Sequence, residues 1–279
     1  MSLKNKMINV SYWDERRGKI FSSAGGWKGG VDAYSHGHSI MDELLGHASY
    51  MQMIILNATG KLVDENLSKW LEGNFIGMSY PDPRIWCNQV GALCGSSRTS
   101  VTAATVAGTL AADSRAYGGS KTSLQGIQFI QDALKEYKEG SSVETIVSNC
   151  KMNRNNRPVI TGFARPVDKK DERIKPHEDM TSKLGFAVGE HLSLAYEIGL
   201  YLEEKYNLGI NIGGYTSAFL SDQGFTAEEV YQIKSMVVAS GVTACFIDAK
   251  NKIPDSFLPL RCDDIEYNGH APRDLPRLK

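Results

Sequence analysis

Residues 162–173 hold the stretch of this 279-residue chain with the clearest means to do chemistry. Gly162-Phe163-Ala164-Arg165-Pro166-Val167-Asp168-Lys169 runs into Lys170-Asp171-Glu172-Arg173. Arg165 is a permanent cation whose planar fork suits bidentate capture of a carboxylate or a phosphate. Lys169, Lys170 and Arg173 add charge around it, while Asp168, Asp171 and Glu172 interrupt it. An exposed charged turn has the same composition. His36-Gly37-His38 has a spacing that a metal ion can use, but no cysteine or carboxylate cluster completes a ligand set. The two histidines therefore read as surface or supporting residues, and no metal is expected. His191 falls on an apolar helical face and reads as a satisfied core histidine. His177, in Lys175-Pro176-His177-Glu178, reads as a loop residue near the charged segment. Gly118-Gly119 matches neither a dinucleotide fingerprint nor a phosphate-binding loop.

These residues need a scaffold, and the hydrophobic pattern predicts a helical one. Residues 8–40 mix glycine, serine and aromatics, as short strands and turns do. From Ser39, apolar residues recur at helical spacing through Ile55, and Asn57 to Gly60 stops them. Glu65 to Leu71 predicts a short helix with Asp64 as N-cap. After Tyr80-Pro81-Asp82-Pro83, helices are expected over Trp86 to Leu93 and Ser100 to Ala112. The second carries no charge and predicts a buried element. Leu124 to Tyr137, Ser142 to Cys150, and a long stretch from Met180 to Asn207 follow. Gly209 to Gly214 reads as a turn. A capping box at Thr226-Ala227-Glu228-Glu229 opens a helix to about Ser240, and the tail from Lys250 is irregular.

Bulk properties exclude several classes. Lys and Arg total 31 against 32 Asp and Glu, giving a net charge of -1. No basic patch fits a nucleic acid. The five cysteines form no Cys-x-x-Cys pair, which predicts reduced thiols and a cytoplasmic protein. No apolar run follows the first residues, so neither a signal peptide nor a membrane span is expected. The length allows one large core or two domains.

Four blocks, in order, resemble the citrate synthase family. Ile20 to Leu62 carries His38-Ser39-Ile40-Met41-Asp42-Glu43-Leu44-Leu45 and Met53 to Gly60, similar to the family's R-G-Y-x-I-E-E-L-A and Y-L-L-L-x-G-E-L-P. Gly95 to Gly119 is similar to the helix ending in H-G-G-A. Gly162 to Arg173 is similar to G-F-G-H-R-V-Y-K and the Asp-Pro-Arg after it. Asn211 to Asp248, with Pro259-Leu260-Arg261 and Tyr267-Asn268-Gly269, is similar to N-V-D-F-Y-S-G, its next helix and the closing R-P-x-x-x-Y-x-G. The short span from Leu62 to Asp82, and Cys262 to Tyr267, resemble the short citryl-CoA lyase-type members. The resemblance implies a mainly α-helical, citrate synthase-like fold with a few N-terminal strands. It implies a large domain of residues 1–120 and 208–279, a small domain of 121–207, a site in the cleft, and a homodimer in which Arg261 serves the partner's site.

In that family an aspartate removes a proton from an acyl-CoA methyl group. One histidine holds the enolate oxygen and a second acts on the keto-acid carbonyl. The resemblance puts Tyr117 and Arg165 at the histidine positions and Gly213 at the aspartate. A further substrate histidine falls at or near Asp82. The closing arginine is retained as Arg261. The catalytic set is therefore degenerate, and Gly213 can take no proton. Tyr117 can hold an enolate or carbonyl oxygen, and Arg165 a carboxylate. Gly213-Gly214 opens room for a larger acyl group. Asp82, Asp168, His36 and His38 are substitute bases, and Lys169, Lys170 and Arg173 are implied contacts for the phosphates of coenzyme A. Three functions compete: an acyl-CoA-using carbon–carbon lyase or synthase of altered chemistry acting with a small carboxylate, a catalytically inactive binding or regulatory protein, and an enzyme using the cleft for a non-CoA carboxylate.

Overall fold

A computed structural model of the chain describes residues 10–113, 120–164 and 171–275. A short helix, α1 (Val10–Asp14), precedes the glycine-rich lead-in, which folds as expected into a small antiparallel sheet. Its strands β1 (Gly25–Lys28), β2 (Asp32–Ser35) and β3 (His38–Ser39) lie in the order β1-β2-β3, with Trp27 opposite Ala33 and Tyr34 opposite Ser39. Helices then carry the fold: α2 (Tyr50–Thr59), α3 (Glu65–Met78), α4 (Trp86–Ser96), α5 (Val101–Ala112), α6 (Ser120–Lys138) and α7 (Val143–Ser148), followed by α8 (Ile174–Lys183), α9 (Glu190–Tyr206), α10 (Ile212–Asp222), α11 (Ala227–Ile233) and α12 (Ala239–Lys250).

Helix boundaries depart from the hydrophobic pattern where a cap interrupts it. Ser39 to Ile55 is not one helix. Ile40–Leu44 makes a π-type turn, Gly46 takes a left-handed φ of 83°, and Ser49 restarts the chain as α2 through a reciprocal capping box with Gln52. The stretch 180–207 is likewise two helices. The Asp222 carboxylate accepts from the backbone N–H groups of His191 (2.9 Å) and Leu192 (3.0 Å), and so caps α9 from a distant part of the chain. The helix after Thr226 stops at Ile233, and a 3-10 turn, Lys234–Met236, separates it from α12. In contrast, α3 runs past the expected Leu71 to Met78, with Asp64 capping it by accepting from Leu67 N–H at 2.9 Å. The tail from Asn251 is irregular apart from a 3-10 turn at Cys262–Asp264.

The chain divides into two compact units, residues 1–74 with 123–234, and residues 75–122 with 235–279. In the first unit the core centres on Trp70, which stacks on Phe219 with ring centroids 3.9 Å apart, while Phe186 meets Phe219 edge-on. In the second, Cys87, Ala112, Val237, Val238 and Val242 form one cluster and Ala92, Cys245 and Ala249 another. Small residues set the spacing there. A Cβ on Gly108 would lie 2.5 Å from a Val242 methyl, and one on Gly95 would strike the Phe246 carbonyl, so larger residues would push α12 off α4 and α5. Helix α5 is apolar all round but not buried all round: Val106 and Leu110 are 53% and 72% exposed. The apolar run 227–250 is long enough by composition to cross a membrane, but half of it is buried inside the protein, as in a core element. All five cysteines are unpaired thiols.

Candidate active site

The first turn of α10 is where the sequence motifs meet. Asn211 is its N-cap, and its side-chain oxygen accepts from Gly213 N–H (2.8 Å) and Gly214 N–H (3.2 Å). The Asn211 backbone N–H donates to Gly162 O at 2.9 Å, and its side-chain amide donates to Ala164 O at 2.6 Å. The start of the charged segment is thus tied to the start of α10. Gly162 makes this possible in two ways. It adopts φ +99°, which side-chain-bearing residues rarely take. A Cβ there would also lie 2.6 Å from Gly214 Cα. Next to it, Phe163 is buried and packs edge-on against Phe129 of α6, fixing the segment from the other side.

Asp171 clamps the same turn. One of its carboxylate oxygens accepts from Ile212 N–H at 2.9 Å, satisfying an otherwise orphaned donor of α10. The other oxygen receives Arg173 Nε at 2.8 Å, and Arg173 Nη2 reaches the first at 2.8 Å. Burial pushes the Asp171 carboxyl up, but the Arg173 guanidinium and then the Ile212 amide outweigh it and hold the group below the ordinary carboxylate range. Arg173, assigned to coenzyme A phosphates by the resemblance, has its fork engaged on this carboxylate.

Beneath the turn lies a buried polar network that the sequence reading missed. His177 sits on α8 and is 5% exposed, in a helix and not in a loop. Its Nδ1 lies 2.8 Å from the Arg173 carbonyl, and its Nε2 lies 3.3 Å from the Asn74 amide nitrogen. A carbonyl only accepts, so Nδ1 carries a proton, and the Asn74 NH2 facing Nε2 fits a neutral ring. Burial lowers its pKa, and the nearby charges of Lys234 and Arg173 contribute. Thr181 donates to the His177 carbonyl (2.7 Å) and receives Trp70 Nε1 and the Tyr215 hydroxyl, both at 2.8 Å. Lys234, 4% exposed, points its Nζ at Thr216 Oγ1, 3.4 Å away. Burial pulls its pKa down to about 8. The signals for this network were present but quiet. Thr181 stands four residues after His177, and Lys234 four after buried Val230, each at helical spacing.

Of the other candidates, Gly213 joins the charged segment at this turn. Asp82 belongs to the second unit and is paired with Arg84, whose Nη2 lies 2.7 Å from its Oδ2. The Arg84 hydrogen bonds hold the Asp82 carboxyl below its usual range, which makes it a weak base. Arg261, also in the second unit, is exposed and donates its backbone N–H to Asp264 Oδ2 at 2.7 Å. Tyr117, Arg165, Asp168, Lys169 and Lys170 lie outside the described residues. His38 pairs locally with Glu43 at 3.3 Å, and His191 with Asp222 at 2.9 Å. His36 packs over the end of α2, where a Cβ on Gly60 would lie 3.2 Å from its Nδ1. A hollow of ≈ 300 Å³ is lined by Asp171 and walled by α8, α9 and the 207–210 turn, with Glu178 accepting from the Tyr196 hydroxyl at 2.7 Å and Ile174, Leu200 and Leu208 as apolar lining.

This architecture is the citrate synthase-like fold: a mainly helical chain with few strands, whose motif-bearing turn opens α10. Citryl-CoA lyase from Hydrogenobacter thermophilus superposes with a TM-score of 0.77 at 24% identity, over 92% of this chain and 98% of that one. ATP citrate lyase from Methanothrix soehngenii, solved with citrate and coenzyme A, gives 0.73 at 17% identity over 94% of this chain and 44% of that chain. A citrate synthase from Thermoplasma acidophilum, solved with carboxymethyl coenzyme A and oxaloacetate, gives 0.56 at 14% identity over 82% and 60%. No family model and no curated protein sequence matches the chain.

Proposed function

We propose that this protein acts on a coenzyme A ester together with a small carboxylate or keto acid, making or breaking a carbon–carbon bond with non-standard catalytic residues. The observation that carries the reading is the fold, which covers nearly the full length of a citryl-CoA lyase and brings the two motif segments together at the α10 turn. Arg165 would hold the carboxylate, Tyr117 the carbonyl or enolate oxygen, and Lys169 and Lys170 the phosphates. Arg261 and Asp168 would contact substrate, and the space at Gly213 would take the acyl group. Asp82, weakened by Arg84, is the less favoured base. A cytoplasmic homodimer belongs to the same reading, and the apolar face of α5 at Val106 and Leu110 supports it.

A second reading rests on one observation. Gly213 offers no carboxylate, which fits a fold retained for binding or regulation alone. Calorimetric titration with coenzyme A, acetyl-CoA and a set of keto acids tests the first reading. Saturable binding of a CoA ester is expected. Absence of CoA-ester binding at millimolar ligand removes CoA chemistry, and keto-acid binding in its place would favour a non-CoA carboxylate as the ligand of the site.

A further inference from the structure

The hollow between α8, α9 and the 207–210 turn lies wholly in the first unit, and the reaction proposed above makes no use of it. Asn207 ends α9 in a left-handed conformation, φ 55°, and turns the chain back so that Leu208 and Ile210 close one side of the ≈ 300 Å³ space. Ile174 and Leu200 supply apolar wall from the two helices. The charge of the lining is unbalanced. Asp171 is neutralised by Arg173, whose Nε lies 2.8 Å from it. Lys175, the one cation among the described lining residues, has its ammonium on Asp179 at 2.7 Å. Glu178 and Glu203 remain, and neither has an ion pair among the described residues. Glu178 is half-buried, its Oε1 takes the Tyr196 hydroxyl at 2.7 Å, and Lys175 acts on it only through space. Glu203 stands in the last turn of α9, where the negative end of the helix disfavours an acid. Lys205 of the same turn is engaged elsewhere, on Glu144 at 2.7 Å. Two carboxylates and a helix C-terminus thus meet at an apolar-walled hollow without a counter-charge, which is a costly arrangement.

We propose that this hollow is a second ligand site, beside the α10 turn, and that it takes a small organic cation: an ammonium carrying an apolar body. The ammonium sits between Glu178 and Glu203, where charge-assisted hydrogen bonds supply the missing counter-charge. The body lies on Ile174, Leu200 and Leu208, whose burial favours an alkyl chain over a bare ion. A few polar groups in a mostly apolar concavity is the usual form of a small-molecule site, and the volume is at the small end of that range. A carboxylate or phosphate ligand is disfavoured by the same two acids. The site stands without the CoA-ester reading. It touches the candidate active site at one residue, because Asp171 lines the hollow and also accepts from Ile212 N–H at the start of α10.

The test is calorimetric titration of the full chain with three probes of one shape: n-hexylamine, 1-hexanol and hexanoate. Hexylamine is expected to saturate and to bind about tenfold or more tighter than either of the others. Glu178→Gln keeps an acceptor for the Tyr196 hydroxyl, and Glu203→Gln changes an exposed side chain, so both are expected to fold, as circular dichroism checks. Each should weaken hexylamine about threefold or more, and together they should remove its advantage over hexanol. Leu200→Ser, at a residue 62% exposed, should instead weaken hexylamine and hexanol alike. Hexylamine that binds no tighter than hexanol overturns the proposal, and so does an advantage that survives Glu203→Gln alone and the double variant. Coenzyme A that displaces hexylamine also overturns it, by making the hollow part of the site at α10. A chain that binds hexylamine but no CoA ester removes only the CoA-ester reading and supports the second site.

Discussion

At the scale of single residues, two buried ionisable groups set how the first unit responds to acid. His177 is held neutral by burial between the Arg173 carbonyl and Asn74. Its folded pKa is below its ordinary 6.5, so the unfolded chain takes up a proton that the folded one refuses. Its contribution is complete above pH 6.5 and is lost as pH falls below that value, with a slope of at most about 1.4 kcal/mol per pH unit. Melting temperature measured from pH 8 to 5 should fall on the acid side, and His177→Gln should flatten the decline between pH 6.5 and 5. Asp171 acts lower. Its folded pKa is depressed below 3.8, so its stabilisation holds above that value and disappears as pH falls through the folded pKa. Asp171→Ala removes a buried carboxylate that holds both Arg173 and the α10 cap. Because Arg173 is partly exposed, urea denaturation should show a loss of about 2–3 kcal/mol.

At the scale of elements, the α10 turn depends on two glycines that do different jobs. Gly162 combines a left-handed backbone with a contact too close for any side chain, whereas Gly213 is hindered only by the far end of Asn211. Gly162→Ala should therefore cost about 2–4 kcal/mol, and Gly213→Ala about 1 kcal/mol, both read by urea denaturation. Equal costs would mean that the Gly162–Gly214 contact does not set the turn.

The same elements show what was legible in the sequence. The three N-terminal strands and most of the helices announced themselves by spacing, and the Thr226 capping box placed a helix start correctly. The breaks between α8 and α9 and before α2 did not, because an apolar period runs through each of them. Asp222, whose carboxylate restarts α9, lies 31 residues from His191. Similarly, Gly162 and Asn211 could be placed in separate motifs from the sequence, but only the fold shows one hydrogen-bonded to the other. The His177–Thr181–Tyr215 network was hidden for the same reason: its partners come from α3, α8 and α10.

At the scale of the whole molecule, the exposed apolar face of α5 and the fold's likeness to CoA-using enzymes lead to the last two predictions. If that face joins two copies of the chain, Leu110→Glu should halve the mass measured by sedimentation while leaving the helical circular dichroism unchanged. A wild-type protein that already sediments as a monomer would remove the homodimer. The central claim is the chemistry, and one measurement addresses it directly: mass spectrometry of the purified protein incubated with acetyl-CoA and a panel of keto acids, and separately with citryl-CoA. A product that joins or splits the acyl and carboxylate parts, and that is lost when Tyr117→Phe and Arg165→Ala are combined, is the expected result. Saturable ester binding with no product under any of these conditions would contradict the claim, and would leave a binding protein built on an enzyme's fold.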